Sequence, residues 1–383
     1  MNAQVSCSPV IKAVVALVIV VELVVIGLLL VSHAAASGNA TARGADADVS
    51  ASQPVPTDTP APAADATGDG AAAQPVTLTV TFAGDCTLGT DESFDASTSL
   101  NARWEAEGGN PAYFLQNVAD LFGADDLTVV NMEGTLTEST ERADKQFAFK
   151  GPAEFAKILS SSSVETASMA NNHSKDYGEK SYEDTIEALD AEGVETFGYD
   201  RIAYCDVKGV KVALIGAAFP EDSEDTKKQM TDNIAKAREE GAQLVLVYVH
   251  WGVEREYVPN QAQIDMGHAA IDAGADLVVG SHPHVIQGYE VYQGRYIVYS
   301  LGNFCFGGNS NPGDKDCMIF QQTFTVTGNE VAKNDDVDFI ACSISSESDS
   351  NTYQPTIAEG DEKARIEKKI QDSADQIAEM VAA

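Results

Sequence analysis

The chain has 383 residues, room for a large core and one or two domains. Its 24 Lys and Arg stand against 59 Asp and Glu, a formal charge of −35, so the basic footprint needed to bind nucleic acid or anionic lipid head groups is missing. Hydrophobic residues at 44% and charged residues at 22% are ordinary globular usage, which excludes wholesale disorder.

The N-terminus is segmented. Residues 13–31 run apolar with only Glu22 interrupting, long enough to cross a bilayer as one helix. Lys12 before the run, with Asp46 and Asp48 well behind it, points to a single-pass anchor with the bulk of the chain extracytoplasmic. Ala34-Ala35-Ala36 supports a rival reading, a cleaved signal peptide. Residues 1–36 are therefore the expected membrane anchor. Residues 37–75 are Ala, Pro, Thr, Asp and Gly with almost no large apolar side chain, the composition of an extended linker.

A folded domain is expected over 76–342. Residues 76–82 alternate apolar and polar, the period of a half-buried strand. Further strands are expected at 127–131, 164–170, 210–217, 244–250, 276–280 and 296–301, with helices at 111–122, 179–192, 225–240 and 261–273. Apolar strands alternating with helices predict an α/β domain whose sheet is buried on both faces. Residues 343–383 read as a polar loop and an amphipathic helix carrying Ile366, Ile370, Ile377 and Val381, packed on the domain or offered to a partner.

The polar residues at the strand ends are informative. Asp85 comes after the first strand, Glu133 after the second and Asn172-His173 after the third; His250 and Glu254, then His282 and His284, come after two later ones. Ligands of open α/β sheets bind outside the carboxyl ends of strands. Four of the six histidines lie at such ends, whereas His33 and His268 do not. A lone histidine there is most simply a loop side chain bonded to backbone. Four of them with two carboxylates form a donor set for a divalent cation such as Zn, Mn or Fe, one ion or two. His173 is placed to act as a general acid.

Gly84-Asp85, Asn131-Met132-Glu133-Gly134, Asn171-Asn172-His173, His250-Trp251-Gly252-Val253-Glu254, Gly280-Ser281-His282-Pro283-His284 and Ser300-Leu301-Gly302-Asn303-Phe304 together resemble the CapA family of capsule and poly-γ-glutamate synthesis proteins. That resemblance implies a branch of the calcineurin-type metallophosphoesterases and a four-layer α/β/β/α sandwich. It implies Asp85 and His284 as ligands of a first metal, Glu133 as the bridge, and Asn172, His250 and His282 as ligands of a second, with Mg added to the candidate ions. His173 would be the acid. Where such enzymes carry a histidine two residues after the first aspartate, this chain has Thr87. Glu254 is a candidate for the missing oxygen ligand or for a base.

Two functions are open. One is a membrane-anchored extracellular protein of capsular polymer synthesis or export, with a metal-dependent hydrolase or transferase site for a phosphate-containing substrate or an anionic polymer. The other is a non-catalytic subunit of a membrane capsule-synthesis complex, its metal site vestigial. Lys145, Lys150 and Lys175 near the motifs read as ordinary surface lysines rather than a polymer-binding patch. Cys305 and Cys317 flank a Gly/Asn-rich loop and are the first choice for a disulfide, with two buried thiols as the alternative.

Overall fold

The computed structural model describes residues 73–219 and 224–382. The apolar run at 13–31 and the linker up to residue 72 lie outside them. Among the described residues no helix is long and apolar enough to cross a membrane.

The strands run in chain order β1 (Val76–Thr87), β2 (Leu127–Met132), β3 (Thr135–Leu136), β4 (Lys150–Gly151), β5 (Thr166–Ser168), β6 (Glu195–Phe197), β7 (Ala203–Val207), β8 (Val210–Phe219) and β9 (Leu244–Trp251). They continue as β10 (Leu277–Ser281), β11 (Ile286–Tyr292), β12 (Arg295–Leu301), β13 (Asn303–Phe306), β14 (Asp316–Thr327), β15 (Glu330–Val331), β16 (Val337–Ser343) and β17 (Thr356–Ile357). They form two large sheets rather than one. The first has the order β17-β16-β14-β1-β2-β5-β6, with β13 on β1 and β15 on β14; the second has the order β11-β12-β10-β9-β8-β7.

The period of 2 explains the packing. Leu244, Leu246 and Tyr248 of β9 enter a core shared with Leu78, Val80 and Phe82 of β1, so this core lies between the sheets. Val245, Val247 and Val249 point the other way, into a core with Met230 and Ile234 of the helix Glu224–Glu239 and Ile264 and Ala270 of the helix Gln261–Asp272. Strand β9 is apolar without alternation because both of its faces are covered. A third core, around Val130, Met132, Phe114 and Leu159, covers the outer face of the first sheet. The result is a mixed α/β fold.

Strand β1 changes phase on its way to the site. Leu78, Val80 and Phe82 face the second sheet, but Cys86 and Leu88 face the outer core. The slip is a register irregularity between Phe82 and Asp85, where β1 leaves β14 and takes up β13. It turns Asp85 toward the second sheet. Gly84 makes this possible, because a Cβ there would lie 2.0 Å from the Gly302 carbonyl oxygen.

The helix expected at 111–122 is two short pieces, Ala112–Leu115 and Ala119–Phe122. Phe114, Leu115, Val118 and Phe122 are nonetheless all buried, so a broken helical path satisfies the same apolar pattern. The C-terminal helix Gly360–Ala382 packs back, burying Ile366, Ile370 and Ile377; Gly288 N donates to Ser373 Oγ at 2.8 Å. Met380 and Val381 at its end stay exposed. Cys305 and Cys317 are not bridged. Both are buried free thiols, packed as small apolar side chains in the outer core of the first sheet.

Candidate metal centre

The site is built where the carboxyl ends of the two sheets meet. Asp85 lies two residues from the end of β1, Glu133 follows β2 and Asn171-Asn172-His173 follow β5, all on the first sheet. His250 is the penultimate residue of β9, while His282 and His284 follow β10 on the second. Below them Tyr248 Oη donates across the gap to the Ala83 carbonyl at 2.9 Å, fixing the separation of the sheets.

Two groups of ligand atoms converge, each with its atoms within 4.8 Å of one another: Asp85, Glu133 and His284, and Glu133, His250 and His282. Glu133 belongs to both. Its Oε2 accepts from Thr87 Oγ1 at 3.1 Å. Its Oε1 is buried with no hydrogen-bond partner, 3.6 Å from His250 Nε2 and 3.8 Å from His284 Nε2. A buried carboxylate oxygen without a donor is costly, and a cation is the ligand that would satisfy it.

The other atoms tell the same story. His250 Nε2 lies 2.7 Å from Asn172 Oδ1 and 3.0 Å from His282 Nδ1, so three potential ligand atoms gather at one point. On its far side His250 Nδ1 is 3.2 Å from both Asn131 Nδ2 and Ser281 Oγ, which fix the ring. Asn131 Nδ2 also donates to Asp85 Oδ1 at 2.7 Å, and its Oδ1 accepts from Asn171 Nδ2 at 3.1 Å. His284 Nδ1 sits 2.9 Å from Asn303 Oδ1 and 3.4 Å from Asp85 Oδ2. His282 and His284 both have positive φ, 98° and 58°, so the loop that carries them holds two strained backbone positions.

The titrations are those of a pocket short of positive charge. Burial, then the Asp85 charge, lifts Glu133 to about 7. Burial pulls Asp85 upward too, but the bond and charge of His284 and the hydrogen bond from Asn131 hold it well below the carboxylate range. Burial, helped by neighbouring imidazoles, pushes His250 far below its ordinary value and His282 to about 4, which keeps both neutral. Burial pulls His284 down as well, yet Glu133 and Asp85 raise it to about 10. The His284 proton thus supplies charge that a metal ion would otherwise supply, and cation binding would release it.

His173 stands beside both groups without joining either. Its Nδ1 is 2.7 Å from Asp176 Oδ2, and the Phe149 ring packs 4.6 Å from its own. Lys145 is no ordinary surface lysine. Its Nζ contacts the Asn172 carbonyl at 2.8 Å, Asp176 Oδ1 at 2.7 Å and His173 Nδ1 at 3.2 Å. Lys150 and Lys175 are held by Ser139 and Glu179. Glu254 is exposed in the loop after β9 and belongs to neither convergent group, although its charge acts on His282 and His284. Sequence reasoning quotes Asn131 and Asn303 in the strand-end motifs without giving them a role and does not single out Asp176; all three hold these rings.

Fold and site together define a mixed α/β protein with a buried histidine–carboxylate pocket suited to divalent cations. The chain belongs to the family described as bacterial capsule synthesis protein PGA_cap, whose profile matches residues 79–308. It is 30% identical over 250 residues to the PGA biosynthesis protein CapA of Bacillus subtilis (strain 168), covering 60% of this chain and 63% of that one. It is 36% identical over 188 residues to the capsule biosynthesis protein CapA of Bacillus anthracis, covering 43% and 46%. A probable polyglutamine synthesis accessory protein of Mycobacterium tuberculosis is 24% identical over 242 residues, covering 55% and 62%. The chain thus spans less than two thirds of the length of these relatives.

Proposed function

We propose that this chain is a membrane-anchored, extracytoplasmic protein of capsular polymer synthesis, of the poly-γ-glutamate type, with a metal-dependent hydrolase or transferase site. We read its two sheets and outer helices as the four-layer α/β/β/α sandwich of metallophosphoesterases. Membership of the capsule synthesis family supports the process, and the apolar run at 13–31 supports the anchor. One observation carries the chemistry: the buried, unpartnered Oε1 of Glu133, shared between two histidine-bearing groups.

Asp85, Glu133 and His284 would hold one divalent ion, and Glu133, His250, His282 and Asn172 a second. Bound there, such ions supply Lewis acidity toward a phosphoryl or carbonyl oxygen and acidify water. The chain's own groups do the rest. Asn131, Ser281 and Asn303 fix the ligand side chains. His173, oriented by Asp176, stands at the rim where a leaving group would take a proton. Glu254, outside both ligand groups, remains the candidate base, acting from the solvent side. Partners would be other membrane proteins of capsule synthesis.

Elemental analysis of the purified chain, with turnover of a generic phosphodiester and its loss in His173→Ala, tests this reading. Metal present, no turnover, and a silent His173→Ala in cells would leave an accessory subunit. Thr87 favours that second reading, because it gives Glu133 a hydrogen bond where an enzyme of this class carries another imidazole.

A further inference from the structure

Lys145 stands in the loop 137–149, which joins β3 to β4 and closes on the turn that carries Asn172 and His173. The loop is folded around Arg142. Its guanidinium donates to the carbonyls of Ala143 and Lys145, each at 3.1 Å, and pairs with the buried Asp91 at 2.9 Å. Asp91 Oδ2 also accepts from Ala148 N at 2.6 Å, and Ala143 N donates to the Asp176 carbonyl at 2.8 Å. A loop with this many backbone groups committed presents Lys145 from a fixed place.

Asp176 is held on both of its oxygens. Oδ2 accepts from Phe149 N at 2.6 Å and lies 2.7 Å from His173 Nδ1, while Oδ1 accepts from Lys145 Nζ at 2.7 Å. The Asp176 side chain is 1% exposed, so without the ammonium Oδ1 is a buried, charged oxygen lacking this donor, and the carboxylate loses what stops it turning away from the ring. The two shorter bonds of the ammonium go to Asp176 Oδ1 and to the Asn172 carbonyl at 2.8 Å; His173 Nδ1, at 3.2 Å, is the longest of its three contacts. Nδ1 therefore faces a carboxylate oxygen more closely than a cation and carries the ring proton. Nε2 is the ring atom left to exchange a proton with substrate.

We propose that Lys145 is a positioning residue for His173. It locks Asp176 and the turn at 171–173, so that the imidazole keeps one tautomer, Nδ1–H, and one orientation. The catalytic part of the proposal rests on the reading of His173 as the acid; the holding of the ring does not.

The test uses the full chain in detergent with Mn²⁺ and two phosphodiesters that differ in leaving group, methyl phenyl phosphate and methyl para-nitrophenyl phosphate. Phenolate leaves poorly and needs the acid, whereas para-nitrophenolate leaves without one. Lys145→Met should lower kcat for the phenyl ester about 10- to 100-fold, the usual cost of an outer-shell partner, and leave KM, metal content and turnover of the nitrophenyl ester near parental. A merely structural role lowers both esters alike. Equal losses on the two, parental kinetics on both, or a raised KM at parental kcat overturns the proposal. A second arm needs no turnover. The chain has six histidines, and histidine-selective nitrogen NMR in chelator at alkaline pH reports which nitrogen of each ring is protonated. His173, identified by its absence from His173→Ala, should carry its proton on Nδ1 in the parent and on a mixture of both nitrogens in Lys145→Met. A ring that is the same in both overturns the proposal. A parent inactive on both esters removes acid catalysis by His173, and the second arm then decides Lys145 by itself. If Lys145→Met does not fold, Lys145→Gln, which keeps an N–H donor without the charge, replaces it in both arms.

Discussion

Thr87 and Glu133 form a buried hydrogen bond, Oγ1 to Oε2 at 3.1 Å, that leaves the second Glu133 oxygen between the His250 and His284 rings. The hydroxyl orients the carboxylate without competing for the cation. Thr87→Val keeps the volume and removes the donor. Outer-shell changes of this kind cost about 10- to 100-fold in metal affinity. A competition titration against a chelator of known affinity should show a loss in the lower half of that range. An unchanged affinity would mean that the pocket does not depend on Glu133 orientation.

Glu133 also sets a pH dependence whose sign depends on metal. In the metal-free chain its pKa is raised from 4.5 to about 7 by burial and by Asp85. The neutral form is the one the fold prefers, so this contribution is whole below pH 4.5 and is lost as pH rises through about 7. Thermal unfolding in chelator should therefore show Glu133→Gln gaining on the parent between pH 5 and pH 8. With saturating Mn²⁺ the order should reverse, because the parent's ionised carboxylate is then a ligand and the amide is a poor one. The same ranking with and without metal would refute the shared-ligand assignment.

Gly84 is the point where sheet geometry becomes site geometry. Its missing Cβ lets β1 pass within contact of Gly302 and turn Asp85 inward, with Asp85 N donating to the Gly302 carbonyl at 3.1 Å. Gly84→Ala should destabilise the domain by about 1–3 kcal/mol, the usual cost of overpacking, and lower metal content together with stability. Urea unfolding and elemental analysis on one preparation check both. A variant of parental stability that retains metal would show that the strand can fork without this close approach.

Part of this site is legible without any fold. His250, His282 and His284 end long apolar strands, and a strand end is visible wherever an apolar run stops at a polar residue. That the strands divide between two sheets is not legible, because pairing is non-local: β1 takes β14, more than 200 residues away, as its antiparallel neighbour. The three-residue β5 is too short for its period to show, although it positions Asn172 and His173. Asn131 and Asn303 stand in the motifs, but their roles escape because an amide is defined by what it touches, and their partners come from other segments of the chain. As a metal ligand Glu254 misleads for the opposite reason. It shares a motif with His250 but follows Gly252, whose φ of 87° turns the chain out to solvent before Glu254 is reached.

A half-buried carboxyl outside the site offers an independent check on the fold. Glu165 precedes β5, and its Oε2 accepts from Thr128 N at 2.8 Å. Burial is the main cause that raises its pKa from 4.5 to about 8, with the nearby Asp125, itself lifted to about 7 by burial, adding to it. Both groups favour the fold when protonated. Their contribution is present in acid and disappears as pH climbs through 7 to 8. Glu165→Gln keeps an acceptor for Thr128 N and cannot ionise. It should raise stability at pH 9 by on the order of 1–3 kcal/mol and change it little at pH 5. Chemical denaturation at the two pH values, in chelator so that the metal pocket does not contribute, measures the difference directly. Equal effects at both would show that the fold does not favour the protonated form of Glu165.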